Sequence, residues 1–149
     1  MSRTASTVIN APAETIFAIL TDPAQHQVID GSGNVKGSPT GAQRLELGSE
    51  FGMSMKQGAS YKTANKVVEF EEGRLIAWRH NAPHRWRYEL ATDPSGATEV
   101  TETWDTSTWP VGARQVLELL FARKTQKGIE ETLVKLKALA ERNAASPAG

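Results

Sequence analysis

Two hydrophobic periods divide this chain. From Gly112 to Arg142 there is no proline, and Leu119, Ala122, Gln126, Ile129, Leu133, Leu136 and Ala140 recur at spacings of three and four. That spacing keeps them on one face of a single helix, roughly 45 Å long at 1.5 Å per residue. Upstream of it the period is two. Phe51, Met53 and Met55 alternate with polar residues, as do Ile76, Trp78 and His80, then Trp86, Tyr88 and Leu90, then Val100, Glu102 and Trp104. Alternation of this kind marks strands with one buried face. A long amphipathic helix buries its stripe only against something of similar extent, and the strands before it are the candidate. A curved antiparallel sheet around one terminal helix encloses space, where a small ligand fits.

Turn residues set the boundaries. A first strand is expected over Thr4 to Ile9, then a short helix opened by Asn10-Ala11-Pro12, with Glu14 at its positive end and Ala13, Ile16, Phe17 and Leu20 on one face. Asp22-Pro23 stops it, and a second short helix carries Pro23 to Gln27. The glycine-rich stretch Asp30 to Gly48 reads as loop with at most one short strand near Val35. Strands follow over Glu50 to Lys56, Tyr61 to Glu71, Arg74 to His80, Arg85 to Thr92 and Thr98 to Ser107, joined by links of hairpin length. The order is α+β without an internal repeat.

Register decides which side chains face inward. Pairing the last two strands across Asp93–Ala97 sets Leu90 against Val100, Tyr88 against Glu102 and Trp86 against Trp104. Pairing Trp78 with Trp86 brings Ile76, Trp78 and His80 to the same face. The other face then carries Arg79, Arg85, Arg87, Glu89, Thr101, Thr103 and Asp105. For Tyr61 to Glu71 the parity stays open: Val67 argues for one register, Val68 with Phe70 for the other.

The totals narrow the function. At 149 residues the chain suits one domain, 1–142, large enough to bury roughly 68–70% of its unfolded surface; the tail 143–149, small residues plus Pro147, is expected to be disordered. Lys plus Arg equals Asp plus Glu, 17 against 17, so no net field favours nucleic acid or an anionic membrane. Without cysteine there is no thiol nucleophile and no Cys-based zinc site. No apolar run is near 18 residues and the first twelve residues lack the apolar core of a signal peptide, so the expectation is cytoplasmic, with no membrane insertion, as a monomer or weak homodimer. His80 and His84 are four apart across a proline-containing hairpin, a spacing without metal meaning. Asp30-Gly31-Ser32-Gly33 lacks the strand and helix of a phosphate loop, and no nucleophile elbow occurs. Neither metal nor cofactor is expected.

The element order resembles the helix-grip fold of the START-like, Bet v 1-like superfamily (SRPBCC), in particular its bacterial polyketide cyclase/dehydrase and lipid-transport branch. The resemblance covers nearly the whole chain and is carried by "INAPAETIFAILTDPAQ", "YKTANKVVEFEEGRLIAWRH" and "HRWRYELATDPSGATEVTETWD". It implies about seven strands gripping the C-terminal helix around a hydrophobic cavity. It does not imply one reaction. His26, after the first helix, lies where the family has its cavity mouth, and His84 is read as a solvated loop residue at the same rim.

The expected lining is Phe51, Met53, Met55, Trp78, His80, Trp86, Tyr88, Val100, Glu102, Trp104, Leu119, Gln126 and Ile129. Three tryptophans on one face are first of all core material, though Met53 and Met55 add adaptable surface. Glu102 stands out, since a carboxylate between Val100 and Trp104 must be paired or protonated. Tyr88 and His80 are its inward candidates, making Glu102, Tyr88 and His80 the candidate catalytic group. The plainer alternative is a structural carboxylate bonded to a backbone amide or to an arginine such as Arg44. Gln126 either bonds inward or turns to solvent. Three functions compete: a carrier of a small hydrophobic molecule, an aromatase/cyclase-type enzyme working with the same residues, and a partner-binding module of a chaperone or toxin system. The last needs an exposed apolar patch, which the charged outer face does not suggest.

Overall fold

The structure, a computed structural model, describes residues 3–30, 35–41, 44–57, 59–79 and 84–145, with the side chains of 27, 35–41, 53–57 and 59–64 outside the described set. Strand β1 (Arg3–Ile9) is followed by helices α1 (Ala13–Leu20) and α2 (Pro23–Ile29). Strands β2 (Val35–Gly41), β3 (Glu50–Gln57), β4 (Ala59–Glu71), β5 (Leu75–Arg79), β6 (Arg85–Thr92) and β7 (Thr98–Asp105) lead to helix α3 (Val111–Ala145). All seven strands form one antiparallel sheet in the order β1-β7-β6-β5-β4-β3-β2. This is the expected helix-grip architecture.

Several boundaries differ from expectation. The one short strand allowed near Val35 is present as β2, seven residues long. Helix α2 runs on to Ile29. Asn143, Ala144 and Ala145, expected in the tail, continue α3; residues 146–149 lie outside the described set. Positive φ at Gly73 (75°) and Gly96 (91°) closes the two tight turns around β5 and β7, in a region that favours glycine.

The register of the last three strands follows the alternation residue for residue: Trp78 opposite Trp86, Tyr88 opposite Glu102, Trp86 opposite Trp104 and Leu90 opposite Val100. The parity of β4 resolves in both directions at once. Its pairing with β5 shifts between Val67 and Glu69, so a bulge lets Val67 sit opposite Trp78 in the core while Phe70, opposite Ile76, also turns inward onto Phe17, ring centroids 5.6 Å apart. The outer face is tied by charge. Glu69 accepts from Arg85 Nη1 at 2.8 Å and from Arg87 Nε and Nη2 at 2.9 and 2.7 Å, and Arg87 Nη2 also reaches Asp105 at 2.8 Å. Glu69 and Arg87 both pair with Ala77, on β5 between them. A methyl group there leaves room for them to meet across three strands.

The core lies between the inner face of the sheet and α3, with Ile129, Leu133, Leu136, Leu139 and Ala140 packed against Phe51, Val67, Ile76, Tyr88, Val100 and Trp104. Its first buried residue on α3 is Ala122. Leu119, expected in the lining, is instead 85% exposed, beside exposed Val116, Leu120 and Phe121. At this end of α3 it is Leu117 that packs against the core and Glu118 that accepts from Thr106 Oγ1 at 2.7 Å, which leaves Leu119 facing outward. Val116, Leu119, Leu120 and Phe121 thus put exposed apolar side chains on this end of α3.

Candidate functional site

Helix α2 carries the first element of the site. Asp22 caps it, accepting from Ala24 N at 3.0 Å, with Pro23 in the first turn. One turn on, His26 enters the core. Its ring stacks on Trp78 at 4.8 Å and meets Phe51 edge-on at 5.5 Å. Its Nε2 lies 3.0 Å from Leu20 O, and since a carbonyl only accepts, Nε2 carries the proton. Burial lowers its pKa, against the opposing effects of the Leu20 carbonyl, Asp22 and Asp30. His26 is thus a buried residue whose imidazole is held neutral by its surroundings.

Beside it the Tyr88–Glu102 pair spans β6 and β7. Glu102 is 3% exposed. Burial pushes its carboxyl up to about 8, opposed by the Tyr88 hydrogen bond and helped by the negative charge of Asp30. Tyr88 is driven well above its ordinary value by burial first and by Glu102 second. Arg44, the arginine considered as a partner for Glu102, pairs with Glu72 at 2.6 Å at the surface. Glu102 Oε1 has no hydrogen-bond partner. A buried carboxyl oxygen without a partner is costly unless protonated or met by another molecule. Two residues along the same face of β7, Trp104 is 2% exposed and its indole N–H is likewise unpartnered.

At the end of the sheet a second aromatic group closes the face. Trp86 and Trp104 lie 6.2 Å apart across the β6–β7 pair. His84 meets both edge-on, at 6.1 and 5.7 Å. Trp109, in the link to α3, lies nearly parallel to His84 and donates from Nε1 to its Nδ1 at 3.3 Å. Accepting there fixes the proton on Nε2, and burial lowers the His84 pKa. His84 is therefore packed among three indoles and is not a solvated loop residue.

Of the expected lining, Phe51, Trp78, Tyr88, Val100, Glu102, Trp104 and Ile129 are buried on one continuous inner surface, with Trp86 partly so. Gln126 is not part of it: its amide donates to Thr4 O on the edge strand at 3.1 Å and to Glu130 at 3.2 Å, tying α3 to β1. His80 and the side chains of Met53 and Met55 lie outside the described residues. Asp30 and Trp109 were not foreseen. Asp30 follows a short helix whose extent the sequence understates, while Trp109 is signalled only as a large ring next to Pro110 in an otherwise polar link. Among the described residues no group of three His, Asp or Glu side chains forms a metal site, and no helix is long and apolar enough to cross a membrane. An open groove of about 700 Å³ lies between α1 and the Arg44–Glu72 pair, with Ala13, Phe17 and Thr21 in its lining.

Comparison with known proteins places this geometry. The chain is 36% identical over 135 residues to the uncharacterized protein Rv0088 of Mycobacterium tuberculosis; the match covers 88% of this chain and 60% of that protein. The chain thus spans about three-fifths of the length of the curated relatives it matches. Among solved structures, NE0264 from Nitrosomonas europaea superposes with a TM-score of 0.70 at 18% identity, covering 97% of both chains. The Aha1 dimer from Colwellia psychrerythraea gives 0.65 at 18% identity, covering 95% of this chain and 96% of that one. At such identities the likeness is one of fold. Residues 2–141 match the family described as polyketide cyclase/dehydrase and lipid transport, and the chain belongs to that family.

Proposed function

We propose that the protein holds a small hydrophobic molecule (polyketide-, lipid- or sterol-like, or aromatic) between the inner sheet face and α3, with Tyr88 and Glu102 orienting its polar end. The observation that carries this reading is the partnerless Glu102 Oε1, buried on a face built of aromatic rings. Apolar burial supplies affinity and the few polar groups supply orientation. The family's lipid-transport description is consistent with it. His84, at the end of the same face, is the candidate rim residue.

A second reading draws on the Glu102 carboxyl near 8. A group titrating close to neutrality beside a tyrosine hydroxyl suits proton transfer, as in a cyclase or dehydratase without cofactor. Binding is common to both readings and is tested first. The folded protein should bind an environment-sensitive apolar dye such as ANS at one equivalent, and native mass spectrometry of protein purified from its own host should show a co-purifying compound. A sharply melting protein that gives no saturable dye binding would have a filled core, and the binding reading would fail.

A further inference from the structure

Resting on the binding reading, we infer that the site selects an uncharged, oxygen-bearing ligand and discriminates against both carboxylates and amines of the same carbon skeleton. Two buried polar atoms without partners among the described residues lie on the inner face, Glu102 Oε1 and the Trp104 indole nitrogen. They sit two residues apart on β7, so their backbone positions are about 7 Å apart. An indole N–H is a donor only, and a protonated carboxyl both donates and accepts. The complement is one or two hydroxyl or carbonyl oxygens on an apolar body.

Charge excludes the alternatives. Among the described residues, the titratable groups around Glu102 are Tyr88 from β6, Asp30 at the end of α2, and His26 within α2. His26 is neutral through burial. On α3, Lys135 directs its Nζ to Asp30 O at 2.9 Å, at the exposed edge. A bound carboxylate would lose its hydration with no buried cation among the described residues to meet it and with Asp30 close by, the expensive way to bury a charge. An ammonium would require Glu102 to ionise where burial holds it protonated, and would set donors against the donor Trp104 N–H.

The test is a matched naphthalene series displacing ANS at pH 7: 2-naphthol, 2-naphthoate and 2-naphthylmethylammonium. The expected result is that 2-naphthol competes at least tenfold better than either ion. Naphthoate or the ammonium competing equally or better overturns the inference while leaving the binding reading intact. So does a dye that binds but that none of the three displaces. Failure of the dye itself to bind overturns the binding reading, and this inference with it. Trp104→Phe keeps a ring and removes the N–H. It should weaken 2,6-dihydroxynaphthalene about threefold or more, as expected for one lost hydrogen bond, and leave naphthalene unchanged. Equal losses for both compounds would mean that Trp104 only packs.

Discussion

Glu102 concentrates the physical argument at the level of single residues. Its folded carboxyl is raised to about 8 from an ordinary value of 4.5, so the folded state holds a proton that the unfolded chain releases over that range. The stabilising protonated form is fully available below the unfolded value and is lost as pH rises through the folded one. Between pH 5 and 8 this group lowers stability with rising pH, by on the order of 3 kcal/mol at pH 7. Glu102→Gln, which cannot ionise, should match the parent near pH 5 and melt progressively higher than it toward pH 8. Thermal melts across that range check this, and a Gln variant destabilised throughout would mark Glu102 as a structural anchor. The strand alternation in the sequence already placed Glu102 and Tyr88 opposite each other on the inner face. The depth of His26 and the packing of His84 were not legible there, because both depend on rings brought from distant strands.

Strands and helices were legible where one period ran unbroken. Arg85–Thr92 and Thr98–Asp105 alternate without interruption, so their register followed from the pleat. Strand β4 did not yield in the same way, since a bulge adds one residue and reverses the parity part-way along; Val67 and Phe70 are both inward for that reason. Helix α3 has a continuous stripe, but a stripe does not reveal which residues of the first turns meet the core; there Leu117 packs inward and Leu119 is exposed. The outer-face network is the element-scale test. Glu69 bridges two arginines across Ala77, and its pKa is lowered, first by the Arg87 hydrogen bond. Burial works to raise Asp105, yet hydrogen bonds from Ser107 and Arg87 hold it at about 2. Depressed carboxyls contribute stability above their ordinary values and lose it as pH falls through the folded ones, so an acid limb should develop below pH 4. Glu69→Gln should cost about 1–2 kcal/mol at pH 7 and flatten that limb, read by denaturant melts. No change at either pH would reduce the network to surface charge.

For the whole molecule, the family and the sheet-and-helix grip are settled, and the chain corresponds to about three-fifths of its curated relatives. The first turns of α3, with exposed Val116, Leu119 and Leu120, show that the apolar surface of this protein is not confined to its interior. Inside, the aromatic face carries the buried Glu102 carboxyl, whose Oε1 has no hydrogen-bond partner among the described residues. The most direct measurement is the side-chain carboxyl carbon-13 resonance of Glu102, assigned by comparison with the Gln variant and followed through a pH titration with and without 2-naphthol. The account predicts a midpoint near 8 in the free protein and a shifted resonance once the ligand is bound. A midpoint at or below 4.5, with a resonance that saturating 2-naphthol leaves unmoved, would contradict it.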